Sequence, residues 1–82
     1  MGSGLREESP ANWREEVGSL MRAERERRGW DIECVAERLK LRASFVAAVE
    51  DGRGREHMDE AYERSHIKAI AGLLGIELET RE

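Results

Sequence analysis

The sequence has little of what most site chemistry requires. Its single cysteine, Cys34, cannot form an internal disulfide and fits a reducing cytoplasm. Glu33 and Val35 flank that cysteine, Glu37 follows one turn on, and nothing basic adjoins it, so a reactive thiol is not expected. His57 and His66 stand nine residues apart with only Cys34 as a further soft ligand, which is no zinc spacing. No metal and no cofactor are expected. Gly52-Arg53-Gly54 lacks the preceding strand that a phosphate-cradling loop needs, and reads as a loop closure. No apolar run approaches the roughly 18–20 residues of a membrane span, and no signal-peptide pattern opens the chain. An enzyme acting on a small-molecule substrate is therefore not expected.

What is present is one small domain's worth of core. The 82 residues are 39% apolar and 39% charged, enough for one packed layer of helices but not for a deep cavity. The net charge of −4, from 14 basic and 18 acidic residues, argues against a generic polyanion binder. The charge is unevenly spread. Residues 38–55 hold five basic and two acidic side chains, whereas the segments on either side are net acidic.

Periodicity and caps divide the chain into helices. Ser9-Pro10 fits an N-cap followed by proline at the first helical position. Trp13, Val17, Leu20 and Met21 then share one face, with Gly18-Ser19 as a soft point that splits or weakens the helix. Gly29 ends it after a basic last turn. Asp31 caps a short second helix, Ile32 to Leu39, and Lys40-Leu41-Arg42 joins it to a third from about Ala43 to Glu50. Asp51-Gly52 closes that helix, and residues 52–58 read as a flexible loop, basic at its start. Asp59 caps a fourth helix to Leu74, with Tyr62, His66, Ile67, Ile70, Ala71 and Leu74 on one stripe. Gly75 followed by Ile76 predicts a Schellman stop. Trp13 and Trp30 are expected to cap the ends of the core. No stretch alternates long enough for a strand, so the fold is expected to be all-α, with the domain over residues 10–78, a flexible tail at 1–9 and a short C-terminal tail at 79–82.

Two short helices joined by three residues, with Ala36 at the crossing, Leu41 in the turn and Val46 and Val49 seating the second helix, form a helix-turn-helix signature. The stretches VGSLMRAERERRGWDIECVAERLKLRASFVAAVEDGR and AYERSHIKAIAGLLGI resemble the N-terminal cytoplasmic domain of RodZ, a variant of the phage-repressor (XRE-type) helix-turn-helix. The resemblance implies a repressor-like domain of four to five short helices. It also implies a buried ion pair between Arg25 and Glu50. Phe45 and the long fourth helix favour the RodZ branch, although that family usually carries aromatics where this chain has His66 and Ile70. RodZ proteins continue into a transmembrane helix, so the resemblance implies a cytoplasmic module, held at the inner membrane only where a longer protein supplies that segment.

Two functions follow from these residues. The resemblance implies docking on an actin-like, MreB-type filament through Phe45, Tyr62, His66 and Ile70. The alternative is a DNA-binding regulator. In a repressor-type domain the second helix of the motif enters the major groove, and here Ala43, Ser44 and Ala48 would meet base edges. Two alanines and a serine are weak equipment for direct readout, which relies on Arg, Lys, Asn or Gln. Lys40, Arg42, Arg53 and Arg55, with Arg38, flank the helix and suit phosphates.

Overall fold

The computed structural model describes the backbone of residues 10–78 and the side chains of residues 13–78. Four helices follow in order: α1 (Pro10–Arg27), α2 (Ile32–Leu39), α3 (Ala43–Glu50) and α4 (Glu60–Leu74), with a 3-10 turn at Gly54–Glu56 between the last two. No strand occurs among the described residues, and the all-α expectation holds. The Ser9 cap and the two expected tails lie outside the described residues.

The helix boundaries have local causes. Asp31 sits in extended backbone, and its carboxylate accepts the Cys34 N–H at 2.9 Å, which starts α2. Asp59 does the same for α4, accepting the Tyr62 N–H at 2.8 Å. Each helix ends alike, on a residue in the left-handed region: Gly29, Lys40, Gly52 and Gly75, with φ of 74°, 60°, 76° and 72°. The residue after each donates back across the last turn, as in Trp30 N–H to the Arg25 carbonyl, Leu41 to Ala36, Arg53 to Ala48 and Ile76 to Ala71. These are Schellman stops. Three use glycine; the turn of the helix-turn-helix uses Lys40, whose Cβ carries the steric cost of that conformation.

The expected break at Gly18-Ser19 does not occur, because α1 is continuous. Gly18 is there for packing. A Cβ on it would lie 2.2 Å from the Glu50 carbonyl oxygen, so only glycine lets α1 cross the end of α3 at this distance. Met21, Val35, Val46, Ile70 and Leu74 are the largest fully buried side chains, one or more from each helix. Leu41, Phe45 and Trp30 pack around them, half-buried. Trp13 and Leu20, expected on the core face, point outward and are 44% and 54% exposed. Nor is the segment after α3 a featureless loop: it folds into the 3-10 turn, burying Gly54 and Met58 against α4 and the core.

Candidate protein-docking and nucleic-acid surfaces

Two ion-pair clamps fix the frame that holds the candidate surfaces. Arg25 of α1 meets Glu50 of α3 with both forks engaged, Nε to Oε2 at 2.7 Å and Nη2 to Oε1 at 3.0 Å, and both residues are buried. Its remaining nitrogen, Nη1, donates to the Trp30 carbonyl at 2.9 Å. Hydrogen bonding to Glu50, partly opposed by burial, raises the Arg25 pKa above its ordinary value, so the charge persists wherever the domain folds. Arg22 joins this network, donating to Asp51 at 2.6 Å and lying 3.5 Å from Glu50. The pair implied by the resemblance is therefore present.

The second clamp has no counterpart in the sequence reading. Arg14 grips Glu63 of α4 through Nε at 2.7 Å and Nη2 at 3.1 Å, and the Glu63 side chain is almost completely buried. Hydrogen bonding to Glu63 raises the Arg14 pKa. The partners are 49 residues apart, so no helical spacing signals them. Gly54 packs directly on Glu63, where an added Cβ would lie 2.9 Å from Cγ.

Between α3 and α4 lies a cluster of four rings, Phe45, Tyr62, His57 and His66. Phe45 lies 5.6 Å from His66, 6.3 Å from His57 and 6.4 Å from Tyr62, the last edge-on, while Tyr62 and His66 are 4.8 Å apart. These are spacings at which tilted rings attract. His66 Nδ1 lies 3.0 Å from the Tyr62 carbonyl oxygen, and since a carbonyl only accepts, that nitrogen carries a proton. The Arg42 guanidinium stands 5.8 Å over the Phe45 ring. Of the four residues expected at a partner interface, Tyr62 is 54% exposed and Phe45 half-buried. His66 is buried beneath them and supports Tyr62 from below. Ile70 has no exposed surface and belongs to the core; it is removed from the docking set, because eight residues on from Tyr62 it stands about 80° further round α4, on the inward side. His57, exposed at the rim, was missed because it lies beyond any helix.

On the helix-turn-helix, Arg38, Lys40, Arg42, Ser44, Arg53 and Arg55 are exposed and Ala43 is half-buried. Ala48 is buried, as the Schellman stop folds Arg53 back over its carbonyl, so it offers nothing to a groove. One expectation about Cys34 is also corrected: Arg38 Nε lies 3.3 Å from its sulfur, so a basic neighbour is present, one turn away. That same guanidinium stacks 4.3 Å over Trp30, with Arg28 at 5.4 Å. Among the described residues, no group of His, Cys, Asp and Glu is placed to hold a metal ion, and no helix is long and apolar enough to cross a membrane.

A family model described as a helix-turn-helix domain matches residues 20–80 of the chain. No curated protein and no solved structure matches it.

Proposed function

The chain belongs to the helix-turn-helix domain family, and from that premise we propose that it is a non-enzymatic docking module of the RodZ type, binding an actin-like MreB-type filament through the surface between α3 and α4. The observation that carries this reading is the exposure of Tyr62 over a ring cluster that fixes it. His66 and Phe45 hold the phenol from below and beside it, so a rigid aromatic anchor reaches solvent with little side-chain entropy left to lose. Arg42, over the Phe45 ring, adds a cation at the edge of the same surface, which suits an acidic group on the partner. Anchors of this kind dominate interface energetics.

Co-sedimentation with assembled MreB-type filaments tests it. Tyr62→Ala is expected to lower filament affinity at least tenfold without changing the thermal transition by more than a few degrees. Retained binding by folded Tyr62→Ala protein refutes the α3–α4 surface.

The second reading, DNA binding, is favoured by one observation: Arg38, Lys40, Arg42, Arg53 and Arg55 are all exposed around α3. They suit phosphates, but the groove-facing set now comprises only Ser44 and the half-buried Ala43, so sequence discrimination would come from DNA shape. Fluorescence anisotropy against duplex DNA at two salt concentrations separates the readings. Tight binding that falls steeply with salt, and is abolished by Arg42→Ala with Arg53→Ala, supports the DNA reading over the docking one.

A further inference from the structure

The chain's cations divide into two groups with different partners. Among the described residues outside 38–55, all six arginines, Arg14, Arg22, Arg25, Arg27, Arg28 and Arg64, reach a carboxylate. Within that segment Arg38, Arg42, Arg53 and Arg55 reach none among the described residues, nor does Lys40, and all five are exposed. The carboxylates of the same stretch do not cancel them. Glu50 is buried on Arg25 and Asp51 is held by Arg22, so only the neighbouring, exposed Glu37 and Glu56 are set against five cations. Asp59, next along, is taken up in capping α4. Two of the guanidiniums lie on rings instead, Arg38 4.3 Å over Trp30 and Arg42 5.8 Å over Phe45. Phe45 in turn stands beside the exposed rings of His57 and Tyr62, so the unpaired cations run directly into the ring cluster.

We infer that this surface binds single-stranded nucleic acid, with bases stacked on Tyr62 and its neighbouring rings and phosphates on Arg42, Arg53 and Arg55. A single strand offers phosphates and uncovered base faces together, and unpaired guanidiniums beside exposed rings meet both. A duplex keeps its base faces inside the stack, and its groove edges would find only Ser44 and the half-buried Ala43 of α3. An acidic polypeptide satisfies the cations but brings no succession of flat faces to the rings. The helix α3 has eight residues, with Lys40 and Arg42 at its start and Arg53 and Arg55 past its end. Cations therefore stand at both ends of α3, about 12 Å apart along its axis, and Phe45 on its first turn joins the rings to the same helix. Support from His66 and Phe45 leaves Tyr62 little freedom to lose on stacking. Binding of this kind does not require a filament, but both ligands use Tyr62 and so compete for it.

Fluorescence anisotropy at several salt concentrations tests the assignment, with a labelled oligouridylate of about 12 nucleotides, a duplex of equal length, and unlabelled polyglutamate as competitor. The single strand is expected to bind at least tenfold more tightly than the duplex. Tyr62→Ala should lower that affinity roughly tenfold, the loss of one stacked base, without changing the salt dependence. Arg53→Ala with Arg55→Ala should instead reduce the slope of log affinity against log salt by about 1.4, the share of two phosphates. Helical circular dichroism of each variant should match the parent. No single-strand binding at low salt, equal affinity for the duplex, displacement by polyglutamate as effective as by unlabelled strand, or undiminished binding of folded Tyr62→Ala protein overturns the proposal. The double arginine variant keeps Tyr62, so its co-sedimentation with filaments should be unchanged, and a failure of this proposal is distinct from a failure of the docking reading.

Discussion

Replacing Gly18 by alanine sets two effects of opposite sign against each other. By helix propensity alone, glycine in the middle of an 18-residue helix costs about 1 kcal/mol relative to alanine, so the change should stabilise. The structure reverses that sign. The new Cβ would stand 2.2 Å from the Glu50 carbonyl oxygen, 2.7 Å from its carbon and 2.7 Å from the Val49 oxygen, all of them backbone atoms of a helix that cannot swing aside. Restoring ordinary contact requires α1 and α3 to part by about 1 Å, in a packed interior that resists it. That displacement stretches the Arg25–Glu50 fork, whose bonds are 2.7 and 3.0 Å, and loosens Met21 in the core. Overpacking of this kind costs about 1–3 kcal/mol, and here it falls at the upper end, giving a net destabilisation of about 2 kcal/mol. For a domain of this size that lowers Tm by roughly 8–16 °C. Gly72→Ala is the matched control: an added Cβ there meets nothing within 4 Å, so the propensity gain stands alone and Tm should rise by up to about 8 °C. Thermal melts of the two variants beside the parent, followed by circular dichroism, decide it. A Gly18→Ala protein as stable as the parent would refute the close-packing argument.

Further substitutions test other parts of the frame. Glu50→Ala strands the buried Arg25 guanidinium and should cost roughly 3–5 kcal/mol, read as a lowered urea midpoint at unchanged m. Lys40→Gly relieves the one left-handed residue with a Cβ among the described residues and should stabilise by about 1 kcal/mol; a loss of stability would show that a Lys40 side-chain contact holds the turn. Ile70→Ala should cost about 2–5 kcal/mol, and at a temperature where it remains folded should dock as the parent does, because Ile70 has no surface to offer a partner.

The short helices were legible because their boundary signals are local. Asp31 and Asp59 each announce a start three residues ahead of the N–H they accept, and Gly29, Gly52 and Gly75 each occupy a conformation that other residues enter at a cost. Periodicity likewise put Ile67, Ala71 and Leu74 on the buried side of α4. It was less able to say where that side ends: Ile70 and Tyr62 read as one stripe, yet one is fully buried and the other half exposed. On α1 the expected stripe divides: Val17 and Met21 face the core, while Trp13 and Leu20 fall outside it, because the inner face is shared with Arg14, Gly18 and Arg25. Gly18 in isolation reads as a weak point, and only the neighbouring helix shows it to be a point of closest approach. Arg14 and Glu63 looked like two solvated charges among many, since nothing in a linear spacing of 49 residues couples them. α3 is the clearest case of partial legibility. Its ends were placed to the residue, but Ala48 turned inward with the fold-back of Arg53.

Both buried carboxylates among the described residues, Glu50 and Glu63, are neutralised from α1. This bears on where an autonomous unit begins. The family match starts at residue 20, yet Arg14 and Gly18 precede it. A chain cut back to residue 20 would keep every helix of the helix-turn-helix and the Arg25 fork, but would leave Glu63 charged in the interior with no counter-ion. Peeling the first half of α1 away is for the same reason no cheap local opening, since it uncovers that carboxylate at once. The first two turns of α1 are thus tied to the cooperativity of the whole domain, and expression boundaries drawn from the family match alone would remove them.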